Sequence, residues 1–457
     1  MAEPDANGSP QDLLSQQETS PILALNDDCL ERVLQKLGLQ DQLRFARTCL
    51  RFRSIYKMAT ARLHKTVNTD DLGRCTTWEI RDFFKLSGAH VRGIKVRYME
   101  EELAELVREK CINLRTLNFM FCPNIHIFMK SIMDNAYHLE ALEICCSSLG
   151  DEDISVFQGL TNLKVFKLSE SLITGSTLCE LPTSIEVLKL DSLFLEVSYL
   201  PKTCKRLTKL RSLDLLRVER DDEVFKTMVM ENSCPLLEAL RFTMTFSRNS
   251  EYVAQLPSLK ELVIGSSLFD CYGLDLLNSQ ERQLYSRLWN KVIDGLVAYK
   301  YQKLDHFTIG GRLTKEQLIQ VGKLSALRVL CLSWVDIDCT PIAKLKMLEG
   351  IVFNEPCFSV SMVLHLFHAC PKLHCLGLKV TDVNAMLVHG IADRVRQEMA
   401  NNNMQRKLPI ELGFFTSDEE IRMFICNNPE AVPKNIIKLN GYNDCCFWRV
   451  GGFDYDS

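Results

Sequence analysis

An α/β solenoid is predicted, with a parallel β-sheet on its concave face and helices on its convex face, preceded by a small three-helix unit. Two observations predict it. The spacing L-x-x-L-x-L begins at Val91, Leu114, Leu139, Leu163, Ile185, Leu210, Leu237, Leu259, Leu304, Leu327, Leu348 and Leu373, twelve copies set 21 to 27 residues apart with a single gap of 45. Residues 25–56, LNDDCLERVLQKLGLQDQLRFARTCLRFRSIY, lack that spacing and read as three short helices with apolar residues on more than one face.

The repeat decides the fold because a single copy cannot bury its own apolar face. Alternate residues of each strand point inward and stack on the equivalent residues of the next copy, so only an array closes a core. Segments between strands, such as FKTMVMENSC and SMVLHLFHAC, carry helical apolar spacing and end at Cys-Pro. Cys111, Cys234 and Cys370 each precede a triplet by three residues, and Cys122 follows one as L-x-x-C. This pattern resembles the cysteine-containing class of leucine-rich repeats, with the thiols as core packing. In the 45-residue gap, Leu284, Leu288, Val292 and Leu296 fall on one helix face, either a degenerate repeat or an inserted helix. After Leu378 a helix over DVNAMLVHGIADRVRQEMA, a flexible turn at NNNMQRK and two last strands at PIELGFF and NIIKLNGY are expected.

In the N-terminal unit, Asn26 is placed to cap a helix with Asp27 and Asp28 in its first turn. Leu30, Val33, Leu34 and Leu37 then form one stripe. A second helix starts near Asp41 and a third near Leu50. About 35 residues bury too little surface to stand alone, so something else must complete these faces.

Leu25, Asp28, Leu30, Val33, Leu34, Leu37, Leu39, Asp41, Leu43, Cys49, Arg51 and Phe52 resemble the F-box pattern, although Asn26 stands where the family usually has proline and Thr48 where it usually has valine. With the repeats, the chain is similar to F-box/leucine-rich-repeat proteins. The resemblance implies a substrate receptor of an SCF-type cullin–RING ubiquitin ligase. It implies that Leu25, Leu30, Val33, Leu34, Leu37, Leu43, Cys49 and Phe52 serve the adaptor subunit or the F-box core, with Asp27, Asp28, Arg44 and Arg47 at a rim. Through the adaptor it implies cullin and RING partners, and it leaves an unknown protein substrate for the repeats. Strand alternation places Lys167, Lys189, Asp191, Asp214, Arg241, His306, Thr308, Val352 and Lys379 on the concave, target-facing side. The alternative is a non-catalytic scaffold whose N-terminal helices only cap the array.

The expected layout is a tail over 1–20, an F-box over 21–65, repeats over 66–445 with a helical insertion near 266–303, and a cap or tail over 446–457. Composition agrees with a large globular chain: 457 residues, 46% hydrophobic, 25% charged, net charge −4. That charge argues against a nucleic-acid partner. No apolar run reaches 18 residues, and the acidic N-terminus lacks a signal-peptide pattern, so a soluble cytoplasmic or nuclear protein with mostly reduced cysteines is expected among its 19. No catalytic, nucleotide or cofactor signature is present: GGRLTKEQ lacks P-loop spacing, and the vicinal pairs Cys145–Cys146 and Cys445–Cys446 are not redox motifs. His365, His368, Cys370, His374 and Cys375 invite a zinc site on paper, but helix and strand directions scatter them, so no metal is expected.

Overall fold

The structure, a computed structural model, describes residues 21–97, 99–122, 125–145, 148–192, 194–215, 223–244, 249–265, 279–334, 339–353, 359–379, 383–428, 432 and 435–441. The expected tail over 1–20, Cys146, Cys445, Cys446 and the C-terminal cap lie outside these residues. The chain divides into two compact units, Met1–Glu140 and Ala141–Ser457.

The first unit opens with helices α1 (Asp27–Leu34), α2 (Leu39–Thr48) and α3 (Leu50–Leu63). Asn26 caps α1 as expected, its side-chain oxygen accepting from the Cys29 amide at 2.8 Å. Strand β1 (Thr66–Asn68), α4 (Thr69–Leu72) and α5 (Thr77–Ser87) follow, then β2 (Gly93–Val96), α6 (Glu101–Lys110), β3 (Thr116–Met120) and α7 (Ile125–Met133). The three strands are parallel, with Val67 opposite Ile94 and Ile94 opposite Leu117. β1 precedes the first readable triplet and was not expected.

The N-terminal helices are completed largely by their own chain. Phe52, Ile55 and Tyr56 of α3 and Phe83 and Phe84 of α5 are all buried. The Tyr56 hydroxyl meets the Ser87 hydroxyl at 3.2 Å, and the His64 ring stands edge-on to Phe83 at 5.2 Å. Burying such side chains contributes about 1.5–3 kcal/mol each, so the N-terminal helices and α5 share one core. Arg44 and Arg47, expected at a rim, are exposed and reach toward α5, pairing with Glu79 at 3.5 Å and Asp82 at 3.4 Å.

Burial pushes His64 down from 6.5 to about 4, and its Nε2 has no hydrogen-bond partner. The folded state therefore favours the neutral ring. That contribution is complete above pH 6.5 and is lost as pH falls toward 4, for about 3 kcal/mol. In thermal melts, wild type should lose more stability between pH 7 and 5 than His64→Phe does. Equal losses would show that His64 is not the acid-sensitive group.

The second unit is a parallel sheet in sequence order. Its strands are β4 (Ala141–Cys145), β5 (Val165–Ser169), β6 (Val187–Asp191), β7 (Ser212–Leu215), β8 (Ala239–Thr243) and β9 (Glu261–Gly265). They continue as β10 (His306–Arg312), β11 (Val329–Trp334), β12 (Gly350–Phe353), β13 (Cys375–Leu378), β14 (Ile410–Phe414) and β15 (Ile437–Asn440). The helices are α8 (Leu200–Arg206), α9 (Val224–Met230), α10 (Ser279–Lys300), α11 (Lys315–Val321), α12 (Val360–Ala369), α13 (Ala385–Ala400) and α14 (Asp418–Asn427). Every triplet position is buried, and equivalent residues pair, as in Leu262–Phe307–Leu330–Ile351–Leu376. Cys111, Cys122, Cys234 and Cys370 are buried too, and burial pushes the Cys111 thiol up to about 12.

Three expectations change in detail. Several connections are 3-10 turns rather than α-helices, at Asp151–Phe157, Leu178–Glu180, Ser250–Gln255 and Thr340–Lys344. They sit in copies of 21, 22 or 24 residues, where a tight turn covers the sheet edge with little chain. The 45-residue gap holds the inserted helix α10 and adds no rung, because Leu262 of β9 pairs directly with Phe307 of β10. Its buried face is Tyr285, Leu288, Trp289, Val292, Ile293 and Leu296, while Leu284 is exposed. A Cβ on Gly311 would lie 2.5 Å from the Tyr285 hydroxyl, so this close approach requires glycine.

The turn NNNMQRK is the third change, because it holds a buried guanidinium. Arg406 pairs with Glu398 at 2.8 Å and donates to the carbonyls of Phe367, Cys370 and Leu373 at 2.6, 2.7 and 2.9 Å. It also stacks on the Phe367 ring at 3.9 Å. These carbonyls end α12 and lead into β13, where no helical partner remains for them.

Candidate docking surfaces

The F-box positions divide by burial. Leu30, Leu34, Leu43 and Phe52 are buried in the first unit's core, with Phe52 stacked on Phe45 at 4.1 Å. They hold the domain together and are not available to a partner. Leu37 and Cys49 are half-buried, and Leu25 and Val33 are exposed. Ile22, Leu23 and Leu50 join them as exposed apolar residues, Leu50 at 85% exposure. Arg51 brings these segments together: its guanidinium donates to the Leu23 carbonyl at 2.7 Å, the Leu25 carbonyl at 2.6 Å and Asp27 at 2.7 Å. The start of α3 is thereby fixed against residues 23–27, and their apolar side chains form an open rim. Sequence periodicity missed Leu50, Leu23 and Ile22 because they lie off the helical stripe. The available signal was three large apolar residues beside a helix start with no stripe to join.

On the second unit's sheet, register aligns Glu143, Lys167, Lys189, Asp214 and Arg241 on five successive strands. Lys167 pairs with Glu143 at 3.8 Å, and Arg241 with Glu261 at 3.0 Å. From β9 onward the same column reads Val263, Thr308, Cys331, Val352, Gly377 and Gly413. These residues are buried, so Thr308 and Val352 are not the exposed contacts their strand positions suggest. Val352 fills the space over Gly377, where an added Cβ would meet its methyl at 3.1 Å. His306 and Asp191 are buried as well. Burial moves His306 down from its ordinary value, and its ring meets the Thr308 hydroxyl at 3.4 Å. Lys379 lies 5.8 Å over the Phe415 ring. The four charged positions Lys167, Lys189, Asp214 and Arg241 thus come together, and the other five do not join them in one exposed patch.

Among the described residues no group of three or more His, Cys, Asp or Glu is placed to hold a metal ion. Cys370 is buried behind α12 while His365 and His368 are exposed. No described helix is long and apolar enough to cross a membrane.

Residues 22–57 match the family model of the F-box domain. No curated protein matches the chain. Among solved structures, the chain is similar to a crystal structure of an internalin from Listeria monocytogenes, at 15% identity and a TM-score of 0.29, covering 71% of this chain and 80% of that one. The repeat assignment rests on the register of the strands and the burial of the triplets, not on that likeness. The chain thus carries an F-box domain at residues 22–57, followed by an α/β array of parallel strands in sequence order.

Proposed function

We propose that this chain is the substrate receptor of an SCF-type cullin–RING ubiquitin ligase, acting in the cytoplasm or nucleus. The observation that carries the reading is the open apolar rim of Leu23, Leu25 and Leu50, with Ile22 and Val33 also exposed, on an F-box whose core residues are already buried. A small adaptor subunit covers this rim and connects it to cullin and RING subunits. The charged rungs from Glu143 to Arg241 receive the protein to be ubiquitinated. No catalytic group of this chain is required, because tethering raises the effective concentration of a target lysine near the charged E2.

The test is co-purification with the adaptor. Leu25→Asp/Leu50→Asp places two carboxylates in the rim and, at exposed positions, should change stability by less than about 0.5 kcal/mol each. Wild type should bind and the folded variant should lose at least about tenfold in affinity, since each carboxylate costs more than 1 kcal/mol to desolvate. If both bind equally, the rim is not the docking surface. If a folded wild type does not bind, the chain is a capped scaffold.

A further inference from the structure

Most strands of the array are preceded by a residue whose amide donates to the carbonyl of its counterpart one rung back. In the second unit these bonds run from Lys164 through Glu186, Arg211, Glu238, Lys260, Asp305, Arg328 and Glu349 to His374. The signs alternate from Lys164 through Glu349 without a break. Rungs lie about 4.8 Å apart, so each charge has an opposite neighbour. Arg211 and Lys260 both reach Glu238 at 3.2 Å, and Arg328 reaches Glu349 at 2.9 Å.

The same column in the first unit does not alternate. It reads Lys65, Arg92, Arg115, Glu140, linked by the same amide-to-carbonyl bonds of 2.7 and 2.8 Å. Three cations stand in succession. Arg115 pairs with Glu140 at 2.8 Å, whereas neither Lys65 nor Arg92 has an ion pair among the described residues. Beside them a cleft of about 280 Å³ is lined by Ala61, His90, Arg92, Asn113, Arg115 and His138, together with Ala89. Asn113 is held at the cleft by its side-chain bond to the Ala89 carbonyl at 2.8 Å. Like charges on adjacent rungs repel, and among the described residues no ion pair offsets the repulsion at Arg92.

We propose that this cleft binds a phosphate-type dianion, which takes the place of the missing negative rung. A guanidinium presents paired N–H donors that match phosphate oxygens, and Arg92 is free to use them. The imidazoles of His90 and His138 and the Asn113 amide supply further polar contacts along the walls. The ligand is either a free anion or the phosphoryl group of a phosphorylated protein segment. The site lies within the first unit, uses none of the apolar rim residues, and does not depend on the proposed function.

The test uses the full chain at fixed ionic strength. Inorganic phosphate replaces chloride in thermal melts, and a phosphoserine hexapeptide and its unphosphorylated form are titrated by calorimetry. Arg92→Glu rebuilds the alternation at an exposed position. Phosphate should raise the melting temperature of wild type by roughly 2 °C over chloride. Arg92→Glu should be at least as stable in chloride and lose the phosphate effect, with anion affinity falling roughly tenfold or more. Arg328→Glu, a control on the alternating flank, should keep it. Tighter binding of the phosphopeptide than of phosphate identifies a phosphorylated protein as the source, and equal binding identifies the free anion. Identical melts in phosphate and chloride, with no binding of either probe, would overturn the site. So would a response that survives Arg92→Glu or disappears with Arg328→Glu.

Discussion

Replacing Arg406 with alanine should destabilise the C-terminal part of the array by about 3–5 kcal/mol, the cost of breaking a buried ion pair by removing one partner. Glu398 would remain in a 7% exposed position without its main counter-charge. Its carboxyl is desolvated, yet it is held below the usual carboxylate range by the bonds from Arg406 and Arg394. The carbonyls of Phe367, Cys370 and Leu373 would lose their donor at once. Arg406→Lys keeps the charge but cannot reach three carbonyls and a carboxylate with one ammonium, so it should recover only part of the loss. Equilibrium denaturation of both variants checks this. A loss below 1 kcal/mol for alanine would mean that water replaces the guanidinium without penalty.

Deleting residues 21–60 should unfold the first unit rather than trim it. The deletion removes Leu30, Leu34, Leu43, Phe52, Ile55 and Tyr56, all buried, and exposes Phe83 and Phe84. Even single truncations of such side chains cost about 2–5 kcal/mol, so their joint loss exceeds what the unit can hold. Proteolysis should then reach the segment up to Glu140, and amide exchange there should become fast. Protection of β2 and β3 in the deleted chain would show that the repeats fold without the F-box helices. From the sequence, the scaffold reading expects this deletion to destabilise the repeats and the receptor reading expects them to keep most of their stability. But α3 and α5 bury residues against each other under either reading, so the deletion does not separate them. The Leu25→Asp/Leu50→Asp variant does, because it leaves the core intact.

The repeats were legible because burial recurs at the same three positions of each copy, so Leu262 and Phe307 can be aligned across a 45-residue gap before any coordinates exist. The stripe of Leu30, Val33 and Leu34 was equally legible, but not that Leu30 and Leu34 are covered while Val33 is left exposed. A periodic pattern gives the apolar face, whereas the covering partner is a later helix: α1 packs on α3, and α3 in turn on α5, which carries Phe83. Arg406 was hidden for a similar reason. Its carbonyl partners lie 33 to 39 residues back, and it sits among asparagines that read as a turn. Alternation placed Val352 and Thr308 on the concave side, but their burial depends on what neighbouring strands carry. Glycine at 377 lets Val352 fold down over its neighbour.

The change of character along the second unit's central column has a consequence for ionic strength. A partner lying on Glu143, Lys167, Lys189, Asp214 and Arg241 meets half-exposed charges, whose attraction fades once salt shortens the Debye length below about 8 Å. Along Val263, Cys331, Val352 and Gly377 there is no charge to screen, and association there would tolerate salt. The slope of affinity against salt concentration therefore distinguishes the two ends of the sheet as landing places for any partner.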